Sequence, residues 1–135
     1  MFGFGKKKEK KPQSSAESAT AETVLTEERR AELLHAVSVK QAEAADRTGE
    51  AQASVQEELG LAFYELGQKE DAITALEASL QAKKSIGPGY KTLLKLYNQK
   101  RAEAAKHNDE ASLQLYMQKM DGLMQISKDV TRGVK

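Results

Sequence analysis

The sequence predicts an all-α protein built from antiparallel helix hairpins, about five helices in total. Three observations predict this fold class. Apolar residues recur every three or four positions through most of the chain, and no useful length alternates between apolar and polar residues. Only two of the 135 residues are proline, and residues that favour helices, such as Ala, Glu, Lys and Leu, are abundant. Short breaks containing glycine divide the chain into separate helical segments.

The first 25 residues carry no apolar period. Five of the first eleven are lysine, and a Ser/Ala/Thr/Glu stretch of low complexity follows. This composition cannot bury enough apolar surface to offset the entropy lost on ordering, so we expect a disordered tail over residues 1–25. The basic start is followed by Pro12-Gln13-Ser14-Ser15 and not by an apolar segment, so we expect no signal peptide.

A helical domain is predicted over residues 26–135, beginning with helices over 27–47 and 50–66. Thr26 is the expected N-cap of the first, because Glu27 and Glu28 place negative charge in the first turn. Gly49 is its expected C-cap. The predicted core positions are Leu33, Leu34, Val37, Ala42 and Ala45 in the first helix, and Val55, Leu59, Ala62, Phe63 and Leu66 in the second.

Three further helices are predicted over residues 69–84, 89–106 and 109–130. Gly67 ends the helix before them, the Gly87-Pro88-Gly89 break separates the first from the second, and Asn108 or Asp109 caps the last. The methionines of the last helix have two interpretations, core packing or an adaptable partner groove. The predicted core positions are Ala72, Ile73, Leu76 and Leu80, then Tyr90, Leu93, Leu94 and Tyr97, then Leu113, Tyr116, Met117, Met120, Leu123, Met124 and Val130.

Residues 56–84, QEELGLAFYELGQKEDAITALEASLQAKK, resemble a tetratricopeptide repeat (TPR), a two-helix unit of about 34 residues. Small residues at Gly60 and Ala72 let the two backbones approach, and the large Phe63 and Leu76 fill the space beside that crossing. Leu59, Gly67 and Leu80 complete the resemblance, and Ser79 replaces one small residue by another. Lys84 stands where the family usually has a proline, so the second helix is expected to run on. The resemblance implies a short α-solenoid with a clear repeat at about 53–86.

Residues 89–124 resemble a second, degenerate repeat. About five residues more than the family spacing separate Tyr97 from Ala111, so the first helix of this repeat is expected to be about one turn longer. Repeat arrays usually need about three units to bury a continuous core. The open ends therefore predict either partner binding or a homo-oligomer. The matching residues are Leu93, Leu94 and Tyr97, then Glu110-Ala111 and Leu115-Tyr116.

Several classes of function are disfavoured. The absence of cysteine excludes disulfides, thiolate metal sites and cysteine nucleophiles. His35 and His107 lie in different helical segments without a carboxylate cluster, so we expect no enzyme, metal or cofactor. The formal net charge of +1 argues against nucleic-acid binding. The charges are nevertheless uneven, with seven acidic and three basic residues over 49–87 against five acidic and nine basic over 88–135.

The TPR resemblance implies that the first helix of each pair lines a groove for a peptide or helix of a partner protein. Lys91 and Lys95 suit an acidic peptide or a C-terminal carboxylate, although the Lys/Asn pattern of the family's carboxylate-binding members is not reproduced. A plain solvated face is the other interpretation. The predicted groove residues are Glu57, Leu61, Tyr64 and Glu65 from one repeat, and Lys91, Lys95 and Asn98 from the next.

The N-terminus allows an alternative function. Phe2 and Phe4 precede Lys6, Lys7 and Lys8, and each lysine near an anionic leaflet contributes about 1 kcal/mol. This pattern predicts weak membrane contact by a peripheral assembly factor; a solubilising tail is the simpler interpretation. The leading expectation is a small bacterial protein-protein interaction adaptor in the cytoplasm. The alternative function would place it at the inner face of the membrane.

Overall fold

The fold is all-α, as predicted. The computed structural model describes residues 25–133, and within this range it contains five helices and no strand. None of the helices in that range has the length and apolar character needed to cross a membrane. The helices are α1 (Glu27–Asp46), α2 (Gly49–Glu65), α3 (Lys69–Ala82), α4 (Pro88–Lys106) and α5 (Glu110–Thr131).

Side-chain caps begin two of the helices. The Thr26 hydroxyl accepts a hydrogen bond from the Arg29 N–H at 3.0 Å, which confirms the predicted cap of α1. At the start of α5, the Asp109 carboxylate accepts the Ser112 N–H at 3.2 Å. Asp109 is therefore the cap, while Asn108 occupies the preceding turn with a positive φ of 56°.

The turn between α2 and α3 depends on Gly67, which has a φ of +81°. The Gln68 N–H donates to the Phe63 carbonyl at 2.9 Å, and the Gly67 N–H donates to the Tyr64 carbonyl at 3.0 Å. This pair of bonds is the Schellman motif, which satisfies the last carbonyls of a helix and favours glycine at the left-handed position. The predicted stop at Gly67 is confirmed.

Two predicted helix ends are wrong. Arg47, and not Gly49, caps the end of α1, and Gly49 lies at the start of α2 with a φ of +60°. Helix α3 ends at Ala82, because Lys83 adopts an extended conformation. Once outside the helix, Lys83 forms an ion pair with Glu50 of α2. The expected continuation to Lys84 therefore does not occur.

Helices α2 and α3 form the tightest contact in the fold. Gly60 packs directly against Leu76, and Ala72 and Leu76 are fully buried. Near the other end of the hairpin, the buried Ser79 hydroxyl donates to the Ala53 carbonyl at 2.7 Å. The small residues predicted at this crossing thus lie where the two backbones approach. All predicted core positions of α2 and α3 are buried.

The outer helices bury less than predicted. Helix α1 packs mainly on α2, and α5 packs mainly on α4. Each outer helix therefore buries only one narrow stripe of its own surface. In α1, Ala44 is buried, while Leu34, Ala42 and Ala45 are exposed. In α5, Met117 and Met124 are 51% and 54% exposed, which contradicts their prediction as core residues. Leu123 is buried, and Leu113, Tyr116, Met120 and Val130 are half-buried.

The inner helix α4 has neighbours on several sides and buries more than one stripe. Leu96, which the pattern did not single out, is fully buried together with Leu93. Helix α4 has 19 residues and α2 has 17, so the extra length is about half a turn, less than expected. Leu25, assigned to the disordered tail, packs against the core. The rest of the predicted tail lies outside the described residues.

Candidate functional site

All seven predicted groove residues lie on α2 and α4, which contact each other and run in the same direction, and five of the seven lie on one surface of this helix pair. The Lys95 ammonium nitrogen lies 5.8 Å from the centroid of the Tyr64 ring, a cation–π contact between the two helices. Lys91 and Asn98 are exposed about one turn before and after Lys95, on the same side of α4. Leu61, half-buried, lies about one turn before Tyr64 on α2. We call these five residues the α2–α4 face.

Glu57, predicted for the groove, instead joins the two helices from within. Its carboxylate accepts the backbone N–H of Gly89 at 2.7 Å, in the first turn of α4. A carboxylate is stabilised there because the helix N-terminus carries partial positive charge. A Cβ on Gly89 would lie 2.7 Å from the Glu57 Oε2 atom, so glycine is the residue that leaves room for this contact. Glu57 therefore sets the position of α4 against α2.

Glu65 is turned toward α1, away from the α2–α4 face. The Arg29 guanidinium donates two hydrogen bonds to its carboxylate, at 2.8 and 2.9 Å. These bonds hold the pKa of Glu65 below its usual range. Because its carboxylate is paired with Arg29, Glu65 stabilises the packing of α1 on α2.

The α2–α4 face carries two neighbouring cations, Lys91 and Lys95, one helical turn apart. Lys91 and Lys95 form no ion pair with any of the described residues. The Asn98 side-chain oxygen accepts two hydrogen bonds from Arg101, at 2.9 and 3.2 Å. Five other lysines are each paired with a carboxylate, namely Lys40, Lys83, Lys84, Lys100 and Lys119.

A cleft of about 540 Å³, which the sequence did not reveal, lies between α3, α4 and α5. Its apolar lining includes Leu80, Leu93 and Ile126. Two ion pairs connect this region to α5. Glu77 of α3 pairs with Lys119 at 2.8 Å, and Lys84, two residues beyond the end of α3, pairs with Asp129 at 2.8 Å. The walls come from three helices, so no single stripe in the sequence marks the cleft. Its lysines are neutralised inside the protein, unlike those of the α2–α4 face.

At one end of the cleft, a polar cluster connects three helices. The Tyr97 hydroxyl of α4 donates a hydrogen bond to the Glu77 carboxylate of α3. The Lys119 ammonium of α5 donates to the same carboxylate and lies 5.6 Å from the centroid of the Tyr97 ring. Burial, together with the bond to Glu77, raises the pKa of Tyr97 above its usual range. The cluster is satisfied internally, so it holds the helices together.

The residues predicted for membrane contact, Phe2, Phe4, Lys6, Lys7 and Lys8, lie outside the described residues. That function therefore stays a prediction. Over residues 25–133, no group of three or more His, Cys, Asp or Glu side chains is arranged to hold a metal ion.

No family model, curated protein or solved structure matches the chain. The TPR assignment accordingly stays a prediction that rests on the sequence resemblance.

Proposed function

We propose that this protein is a cytoplasmic, non-catalytic scaffold of the TPR type, which binds an acidic peptide or helix of a partner protein on its α2–α4 face. The observation that carries the proposal is the pair Lys91 and Lys95, two neighbouring cations without an internal ion pair among the described residues. Lys69, Lys106 and Lys128 also form no ion pair with a described residue, but no two of them lie one turn apart on one helix face, as Lys91 and Lys95 do.

The contact between α2 and α4 supports the same proposal. The Gly89 N–H donates to Glu57, and Lys95 contacts Tyr64. The residues of the two pairs are 32 and 31 positions apart in the sequence, so α2 and α4 lie side by side and parallel. Two equivalent helices side by side present a continuous surface, which is how stacked repeats form extended binding sites. A segment with carboxylates opposite the lysines and an apolar side chain over Leu61 would match its chemistry.

The proposal is tested by site-specific crosslinking followed by a binding measurement. A photo-crosslinking amino acid at Leu61 should capture the partner in the native host, and mass spectrometry should locate the crosslink in an acidic segment. A labelled peptide of that segment is then titrated with Lys91→Glu/Lys95→Glu. Each charge-assisted contact contributes about 1.5–3 kcal/mol, so the affinity should fall by more than about tenfold.

The matched control is Lys69→Glu/Lys106→Glu, which changes the net charge equally but lies outside the α2–α4 face. It should keep most of the affinity, and circular dichroism should show that both double variants are folded. Unchanged binding by Lys91→Glu/Lys95→Glu, or an equal loss in the control, would show that the partner binds elsewhere.

A further inference from the structure

Helix α5 carries an apolar stripe that its own fold covers only in part. Leu113, Met117, Met120 and Met124 follow at spacings of four, three and four residues, so they lie on one side of the helix. Met117 and Met124 are more than half exposed, while Met120 packs partly against the core. Alternating spacings of three and four are typical of a seam that packs against another helix. We call these four residues the α5 seam.

Opposite charges stand at the two ends of the seam. Glu110 lies three residues before Leu113, and Lys128 lies four residues after Met124, both exposed. Neither forms an ion pair with another residue in the described range. The midpoint of the seam falls between Gln118 and Lys119, and Glu110 and Lys128 are almost equally distant from it. The seam therefore has the same apolar pattern, with the charge reversed, when it is turned end to end.

We propose that two copies of the chain pair through their α5 seams, antiparallel, across a two-fold axis at the midpoint of the seam. In this arrangement Met117 faces Met120 of the second copy, and Leu113 faces Met124. Glu110 at each end faces Lys128 of the other copy. An isologous contact of this kind uses the same surface twice, as most homodimers do. Methionine suits such a seam, because its flexible side chain adapts to its neighbours.

Charge complementarity selects the antiparallel pairing. A parallel pairing would place Glu110 against Glu110 and Lys128 against Lys128, and like charges across an interface are unfavourable. The net charge of +1 adds little repulsion between copies.

Since each copy contributes one helix, the buried area should be near or below the ~1,000 Å² of a stable interface. We therefore expect a reversible dimer, and the α2–α4 face takes no part in it.

The first experiment is sedimentation equilibrium of the full chain from about 1 µM to about 1 mM. The wild-type mass should rise from 14.8 kDa toward twice that value. Met117→Gln/Met124→Gln should weaken association by at least about tenfold. Leu115→Gln is the matched control, because Leu115 is 46% exposed on the same helix but lies on another side. It should associate like the wild type. A monomeric wild type, or an equal loss in the control, would overturn the proposal.

The second experiment exchanges the charges. Glu110→Lys alone and Lys128→Glu alone each set like charges face to face at both ends, so each should self-associate more weakly than the wild type. An equimolar mixture of the two should recover association, because every end then faces the opposite sign. Circular dichroism of each variant checks that α5 stays helical. Single variants that associate like the wild type, or a mixture that does not recover, would overturn the antiparallel pairing.

Discussion

Gly60→Ala is the most direct test of the packing between α2 and α3. Gly60 does not have a positive φ, so its backbone is open to alanine and only the space around it decides the outcome. An added Cβ would lie 2.6 Å from both Cγ and Cδ2 of Leu76, and 3.3 Å from the Ala72 carbonyl oxygen. Leu76 is fully buried and cannot move aside into solvent. We therefore expect the substitution to be destabilising.

The magnitude follows from two opposed effects. Overpacking a buried site costs about 1–3 kcal/mol, and a contact this short at a side-chain branch point belongs at the upper end. Replacing glycine by alanine inside a helix recovers about 1 kcal/mol. The free energy of unfolding should thus fall by about 2 kcal/mol, with a Tm lower by on the order of 5–10 °C for a domain of this size. Urea denaturation followed by far-UV circular dichroism measures the change.

Gly122→Ala is the matched control. Gly122 also lies inside a helix, and nothing stands within 4 Å of an added Cβ there. It should stabilise the protein by up to about 1 kcal/mol. In a Leu76→Ala background, which alone costs about 2–5 kcal/mol, Gly60→Ala should no longer destabilise. If Gly60→Ala stabilises the wild type as much as Gly122→Ala does, Leu76 does not restrict the space at Gly60.

Two further predictions use the same denaturation assay. Glu57→Ala removes the hydrogen-bond acceptor of the Gly89 N–H and should lower the free energy of unfolding by about 1 kcal/mol. Glu57→Gln should lower it less, because the amide oxygen can still accept this hydrogen bond. Equal stability of Glu57→Ala and the wild type would contradict the role of Glu57 as a helix cap. The pKa of Tyr97 is raised above its ordinary value of 10.0, so above that pH the unfolded chain loses a proton that the folded protein keeps, and stability falls as pH rises. Tyr97→Phe should reduce this fall and, by removing the bond to Glu77, lower stability at pH 7; an unchanged slope above pH 10 would refute the assignment.

Local chemistry made several elements readable from the sequence. Thr26 and Asp109 are caps because a short oxygen-bearing side chain satisfies free N–H groups at a helix start. Gly67 ends α2 because its left-handed φ is unfavourable for residues with a Cβ. The stripes of α2 and α3 were predicted well because these helices pack on each other along their length.

The sequence by itself determined the all-helical class and the positions of the breaks, since these depend on neighbours within a few residues, and its small residues Gly60 and Ala72 indicated the α2–α3 crossing. Only the tertiary structure decided how each face is used. Met117 and Met124 match a core stripe as well as Leu123 does, yet α5 has one main neighbour and leaves them open. By sequence alone, Glu57 and Glu65 look like solvated groove residues. In the fold, Glu57 accepts a hydrogen bond from Gly89 and Glu65 from Arg29, which lie 32 and 36 residues away in the sequence. Helical periodicity shows which residues share a face, but which neighbour covers that face depends on contacts distant in sequence.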